Sequence, residues 1–168
     1  MDVVWIPFEL HPRTPEEGLL LAERFGAESF RVRLDDLRER GQRFGFAYAG
    51  LERMANSHKA LLAEMYAVQQ QRGQVFRDRI YHAYFEEGRN IGELKVLLEL
   101  GEEAGLDRKE LESFVQQAKH QVFKPALKLI EEYAVNSVPT FIVADKYKVV
   151  GSDQDKALRE AIEKAMRE

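Results

Sequence analysis

The order of hydrophobic and polar residues predicts a strand at the start of the chain. Val3–Phe8 is a run of β-branched and aromatic residues, and the prolines Pro12 and Pro15 follow it closely. Such a run, bounded by turn residues, is typical of a β-strand. Pro7 has no N–H to donate to a ladder, so we expect it at the end of the strand or on its unpaired side.

Helix signals follow this strand. Thr14 is a candidate N-cap, and Pro15 would occupy the first helical position, with two glutamates in the first turn. This pattern predicts a helix that runs to about Phe25 and is capped by Gly26. A second helix is predicted over about Ser29–Arg40.

The middle of the chain, from Leu51 to Tyr133, repeats its apolar residues at helical spacing. The aromatic, glycine-rich stretch Gly41–Gly50 before it is predicted to be a loop or an irregular strand. The breaks between its helices are predicted at glycines: Gly73, Gly88 and Gly105. Asp107 is the candidate cap of a last long helix, which Pro125 should kink or divide. This region is therefore predicted to be almost wholly helical.

The period changes again near the end of the chain. Thr140–Val143 and Tyr147–Val150 are β-rich runs separated by the three residues Ala144–Lys146, which predicts a hairpin. An amphipathic helix through Met166 follows. Strands at both ends with helices between them predict an α/β fold whose sheet is interrupted by a helical insertion.

Composition narrows the classes of function. The 168 residues fit one domain, and the net charge of −4 argues against a general nucleic-acid binder. No apolar run is long enough to span a membrane, and the first residues do not resemble a signal peptide, so a cytoplasmic protein is expected. The chain has no cysteine, which excludes thiolate nucleophiles, disulfides and redox pairs from its own residues. Its four histidines show no metal-binding spacing, so no metal site is predicted.

Four stretches together carry a resemblance to a known family. They are "VVWIPFELHP" at Val3–Pro12, "ANSHKALLAEMYA" from Ala55, "IYHAYFEEGRNIGELKVLLELGEEAGLD" at Ile80–Asp107, and "VNSVPTFIVADKYKVVGSDQ" at Val135–Gln154. In this order and spacing the chain resembles the DsbA-like, FrnE-type thioredoxin-fold proteins. This group neighbours the 2-hydroxychromene-2-carboxylate isomerases and the kappa-class glutathione transferases.

The resemblance implies a thioredoxin-like fold with an inserted all-helical domain. Residues 1–50 and 134–168 would form an incomplete thioredoxin-like domain, and 51–133 the insertion. The family's first strand and first helix, with a Cys-x-x-Cys motif, precede the strand that Val3–Phe8 resembles, so we expect this chain to lack them. The edge of Thr140–Val143 would then be bared. We expect a second copy to pair there, or Val3–Phe8 to move into the vacant position.

The resemblance also suggests binding residues. Val138-Pro139-Thr140 is similar to the family's cis-proline loop, which binds extended substrate backbone. Trp5 and Phe8 would line a substrate groove or belong to the core, and core is the commoner place for such residues. Asn56 and His58 would lie near the active face, or simply at an exposed helix end. No serine has a base at recognisable spacing, so no catalytic residue is assigned.

The predicted function is that of a thiol–disulfide oxidoreductase-like protein without dithiol activity, because disulfide exchange needs a thiolate. One alternative is a relative of the glutathione-linked isomerases or transferases, with glutathione bound through the backbone at Val138-Pro139. Another is a non-catalytic interaction module that dimerises through its bared sheet. The expected partner at the proline loop is a peptide or a thiol-containing small molecule, without nucleic acid or membrane.

Overall fold

The computed structural model describes residues 2–118 and 120–168, and their contacts form two compact units. His11–Ala118 is called the helical unit below, and Met1–Leu10 with Lys119–Glu168 is called the hairpin unit. The division predicted from the family resemblance, with an insertion at 51–133, stays a prediction.

The helical unit consists of six helices and two very short strands among its described residues. They are β1 (Leu19–Leu20), α1 (Leu21–Phe25), α2 (Ala27–Gln42), β2 (Arg53–Met54), α3 (His58–Gln69), α4 (Gly73–Phe85), α5 (Leu94–Glu103) and α6 (Arg108–Gln117). β1 pairs antiparallel with β2, with Leu19 opposite Met54. This small bridge joins the first helices to the start of α3.

The core of the helical unit lies between α3, α4, α5 and α6. Its largest fully buried side chains are Phe76, Leu97, Leu100 and Leu111. Burying a side chain of this size contributes about 1.5–3 kcal/mol. The helix spacing predicted over this region is confirmed, and so is the cap at Asp107, whose Oδ1 accepts from Glu110 N at 2.9 Å.

The hairpin unit contains the remaining elements. A 3₁₀ turn (His120–Phe123) leads into α7 (Lys124–Glu132), and then come β3 (Thr140–Val143), β4 (Tyr147–Val150) and α8 (Asp155–Arg167). α8 packs on the hairpin, and its Ala161 is buried, as is Val149 of β4. The predicted division of the last long helix is confirmed, because α6 ends at Gln117 and α7 begins just before Pro125.

The hairpin has the predicted strands and turn. β3 and β4 are antiparallel, with Thr140 opposite Val150 and Val143 opposite Tyr147. The turn between them is Ala144–Lys146, in which Ala144 and Asp145 adopt positive φ values of 50° and 56°.

The strand predicted at Val3–Phe8 is wrong. This segment forms neither helix nor strand, and Val4 and Trp5 are 79% and 57% exposed. β-forming residues adopt a strand only where a neighbouring strand completes their hydrogen bonds. In the described chain no ladder includes this segment, so it has not moved into a position beside β3.

The helix predicted from Thr14 is also wrong at its start. Thr14 N donates to His11 O, and Gly18 N donates to Pro15 O, so two consecutive turns replace the first helical turns. α1 begins only at Leu21, after β1 has formed its bridge. The predicted cap at Gly26 is confirmed, with φ of 81°.

Candidate functional site

The proline loop is positioned by the end of α7. Val135 N donates to Ile130 O at 2.8 Å, and Ala134 N donates to Glu131 O at 3.0 Å. This pair of bonds, with Ala134 in the left-handed region at φ 47°, is a Schellman motif. It stops the helix and turns the chain toward β3.

Two further hydrogen bonds fix the loop itself. Thr140 Oγ1 donates to Ser137 O at 2.7 Å and closes the loop on itself. Gly151 N donates to Pro139 O at 2.9 Å, which continues the ladder of β4 beyond Val150. The Val138–Pro139 peptide bond is cis, the geometry that the family resemblance implies.

The second edge of β3 is open in the part of the chain that the structure describes. β3 pairs with β4 alone. In an antiparallel ladder, alternate residues direct their backbone groups to opposite edges. The C=O group of Pro139 points toward β4, where it accepts from Gly151 N. The N–H and C=O groups of Thr140 and Ile142 therefore face the open edge.

Exposed apolar side chains flank this open edge. Val138 is 47% exposed and Phe141 is 37% exposed, and Pro139 is exposed between them. A row of unsatisfied backbone groups beside apolar side chains can bind another extended chain. The strand and its loop therefore form the candidate site, which we call the β3 edge: residues 138–142.

The outer edge of β4 is different. By the same alternation, Lys148 and Val150 direct their backbone groups outward there. Lys148 is exposed, and its Nζ donates to Tyr133 O at 2.8 Å and Ala134 O at 2.7 Å. A lysine on an edge strand discourages pairing with another strand. The two edges of the hairpin thus differ, and only the β3 edge combines open backbone groups with an apolar loop.

The polar groups at the hairpin tip are engaged with one another. Tyr133 donates to Asp145 at 2.8 Å, and this hydrogen bond raises the pKa of the Tyr133 phenol. Tyr147 donates to Glu168 at 2.6 Å, which raises the pKa of Tyr147 in the same way. Lys146 pairs with Glu168 and, with Tyr147, lowers the pKa of that carboxyl. These contacts tie the tip to α7 and α8.

Trp5 and Phe8 lie in the hairpin unit, as the β3 edge does. Trp5 is 57% exposed and Phe8 is half-buried. The core placement is therefore wrong for Trp5, because the strand that would have buried it does not form. A role of these two residues in substrate binding stays a prediction.

Asn56 and His58 lie at the start of α3 in the helical unit, both half-buried. Asn56 Oδ1 accepts from His58 N at 2.9 Å, an Asx turn just before the N-cap residue Ser57. Its Nδ2 donates to the backbone carbonyl of Thr14, a residue that is only 5% exposed. Both ends of the Asn56 amide thus hold the fold, while a binding role for Asn56 and His58 stays a prediction.

A set of contacts that the sequence did not reveal holds the segment Thr14–Glu17. Asn90 Nδ2 donates to Glu16 O at 3.0 Å, and Arg53 donates to Glu17 O at 2.9 Å. Lys59 pairs with the Glu16 carboxylate. The donors come from β2, α3 and the loop before α5, so no local pattern could have indicated them.

Neither a metal site nor a membrane span is found within residues 2–118 and 120–168. No three imidazole or carboxylate side chains group there in a way that could hold a metal ion. No helix of that part has both the length and the apolar character needed to cross a bilayer.

The end of α7 gives a testable prediction. Ala134→Gly is expected to raise the free energy of unfolding by about 0.5–1 kcal/mol, because glycine adopts the left-handed conformation without the steric penalty of a Cβ. Urea denaturation followed by circular dichroism measures the change. The matched control is Ala126→Gly within α7, which should lower stability by about the same amount. Destabilisation by both substitutions would contradict the assigned helix end.

This chain matches a protein-family model, a bacterial relative and a solved structure. A model of the DSBA-like thioredoxin domain matches residues 1–163. The uncharacterized protein YwbO of Bacillus subtilis (strain 168) is 28% identical over 148 residues, which are 86% of this chain and 73% of that protein. The crystal structure of the probable DsbA oxidoreductase SCO1869 from Streptomyces coelicolor superposes with a TM-score of 0.87 at 21% identity, over 97% of this chain and 74% of that one. At that identity the structural match shows a shared fold.

Proposed function

Because this chain belongs to the DsbA-like thioredoxin domain family, we propose that it binds an extended polypeptide along its β3 edge, without dithiol chemistry of its own. Its fold is the thioredoxin-like α/β fold of that family, with a helical insertion. In this proposal the chain binds a polypeptide at the proline loop, as the family resemblance implies, but carries out no thiol–disulfide exchange.

The observation that carries the proposal is the open edge of β3. Thr140 and Ile142 offer two N–H and two C=O groups along one line, beside the exposed Val138 and Phe141. Strand addition uses such backbone groups for affinity and neighbouring side chains for selectivity. The loop is held ready for it by the Thr140–Ser137 and Gly151–Pro139 hydrogen bonds.

The absence of cysteine supports the proposal that the chain has no dithiol chemistry of its own. Disulfide exchange proceeds by attack of a thiolate on a disulfide, and none of the 168 residues can provide one. No serine or histidine of the β3 edge replaces it as a nucleophile with a base. Binding of polypeptide, rather than its oxidation or reduction, is what the residues of this edge support.

The experiment compares two proline substitutions on opposite edges of the hairpin. Ile142→Pro removes an N–H that faces the β3 edge, and Val150→Pro removes one that faces outward from β4. Proline is tolerated on edge strands, where its missing N–H breaks no ladder bond. Binding is measured by fluorescence anisotropy with a labelled octapeptide of alternating valine and lysine.

We expect Ile142→Pro to weaken peptide binding at least about tenfold, because losing one hydrogen bond to the peptide costs about 1.4 kcal/mol of binding free energy. Val150→Pro should change peptide binding little. Equal binding by both variants and the parent chain would contradict the proposal. Loss of fold is checked by circular dichroism. A second variant carries N-methylisoleucine at position 142, introduced by chemical ligation, which removes the same N–H but keeps the isoleucine side chain.

Glutathione at millimolar concentration is tested as a competitor of the labelled peptide. Its displacement of the peptide would favour the glutathione-binding alternative.

A further inference from the structure

The N-terminal segment of the hairpin unit exposes an unusual number of apolar side chains. Val3, Val4, Trp5 and Ile6 are 64%, 79%, 57% and 39% exposed. Single exposed apolar residues are ordinary, but a contiguous run of them marks a surface that binds another molecule. The run consists of good strand formers, and in the single chain it forms neither helix nor strand.

We propose that Val3–Phe8 of one copy adds as a strand to the β3 edge of a second copy, so that two copies exchange this segment reciprocally. This inference rests on the proposed function, since it uses the same open edge, and it names the occupant. The chain itself carries both halves of the contact: a strand-forming apolar segment and a strand edge flanked by apolar side chains. A two-fold arrangement satisfies both segments and both edges at once.

Pro7 fixes which residues of the segment face the edge. In an extended chain, alternate residues direct their backbone groups to opposite sides. Pro7 has no N–H to donate, so Val3, Trp5 and Pro7 lie on the side away from β3. Val4 and Ile6 then face it, and their backbone groups meet those of Thr140 and Ile142.

The same proline limits the assembly to two copies. Once the segment is paired, Pro7 lies on the new outer edge of the sheet. Proline there prevents a third strand from adding, which is how edge strands avoid continued growth. The expected product is therefore a closed dimer rather than a filament.

The apolar surfaces of the two partners also correspond. Val138 and Phe141 are 47% and 37% exposed beside the β3 edge, and the segment brings valine, tryptophan and isoleucine side chains. Pairing covers both groups together. The outer edge of β4 exposes Val150 at 45% but also carries Lys148, whose ammonium group is bonded to the end of α7, and a lysine on an edge strand discourages pairing.

The test uses Trp5 as a reporter, since it is the single tryptophan of the chain. The full chain is diluted from about 100 µM to about 0.1 µM, a range that brackets micromolar association. Molar mass is measured by light scattering after size exclusion, and tryptophan emission is measured on the same samples. We expect the mass to fall from dimer to monomer while the emission maximum moves to longer wavelength.

Substitutions locate the contact. Ile142→Pro is expected to give a monomer with exposed tryptophan at every concentration, whereas Val150→Pro should still dimerise. A synthetic peptide of residues 2–9 should dissociate the parent dimer. In hydrogen exchange, the amides of Val4 and Ile6 should be protected in the dimer and that of Val3 should exchange.

The outcomes separate this inference from the proposed function. A parent chain that stays monomeric, yet binds the valine–lysine octapeptide in a manner dependent on Ile142, would overturn the exchange and leave the proposed function standing. Failure to bind any peptide, with no dimer, would overturn both. A dimer that survives Ile142→Pro, or tryptophan burial independent of concentration, would also contradict the exchange.

Discussion

Replacing Gly50 by alanine is expected to prevent the helical unit from folding stably. A Cβ at this position would lie 2.0 Å from Gly88 N and 2.6 Å from Gly88 Cα, both backbone atoms. Gly50 N also donates to Phe85 O at 3.0 Å, so the loop cannot move away without losing this bond to the end of α4. Backbone cannot yield as a flexible side chain can, and we expect a loss of at least about 3 kcal/mol.

The measurement is urea denaturation of the full chain, followed by circular dichroism. Gly45→Ala is the matched control in the same loop, because nothing lies within 4 Å of its added Cβ. Gly45 has φ of 79°, so alanine there should cost only about 1–2 kcal/mol of backbone strain. Equal destabilisation by the two substitutions would contradict the close approach of Gly50 to Gly88.

Replacing Glu64 by alanine is expected to have the second large effect. Glu64 Oε1 accepts from Arg77 Nε at 2.6 Å, and Arg77 is only 8% exposed. This ion pair joins α3 to α4. Removing Glu64 takes its carboxylate away from the guanidinium of Arg77, and losing a hydrogen bond between charged groups costs about 1.5–3 kcal/mol.

A double substitution distinguishes the pair from general packing. Glu64→Leu combined with Arg77→Met replaces both charges by apolar groups, and such replacements are often neutral or stabilising. We therefore expect the double variant to be more stable than Glu64→Ala, as judged by urea denaturation. If the two variants were equally unstable, the contribution of Glu64 would lie in packing rather than in its charge.

The elements that the sequence predicted well are those that local pattern determines. The hairpin alternates β-forming residues around a three-residue turn, so both strands and the turn could be placed to the residue. The cap at Asp107 and the end of α1 at Gly26 are also local signals. The proline loop could be located because Val138-Pro139-Thr140 is continuous in the sequence.

The segment Val3–Phe8 shows why a good local pattern can fail. Its residues favour a strand, but strand formation requires a partner, and the described part of the chain contains no ladder that includes it. The same reasoning explains the exposed Trp5. Which edge of the hairpin is open, and which residues face it, depends on pairing and could not be predicted from residue types alone.

The segment Thr14–Glu17 shows a second limit. Its cap residue and proline are typical of a helix start, yet Asn56, Asn90 and Arg53 bind its backbone carbonyls from far along the chain. These bonds hold the segment in two turns rather than in a helix. Contacts over 36 to 74 residues leave no periodic signal in a single sequence.

Amide hydrogen exchange at Thr140 and Ile142 tests the central claim most directly. The full chain, with Val4→Pro and Ile6→Pro so that its own Val3–Phe8 segment cannot pair with the β3 edge, is monitored by NMR with and without the valine–lysine octapeptide. The amides of Lys148 and Val150 serve as the opposite edge. Bound peptide is expected to slow exchange at Thr140 and Ile142 and to leave exchange at Lys148 and Val150 unchanged. Unchanged exchange at Thr140 and Ile142 with peptide bound, or protection at the β4 edge instead, would contradict it.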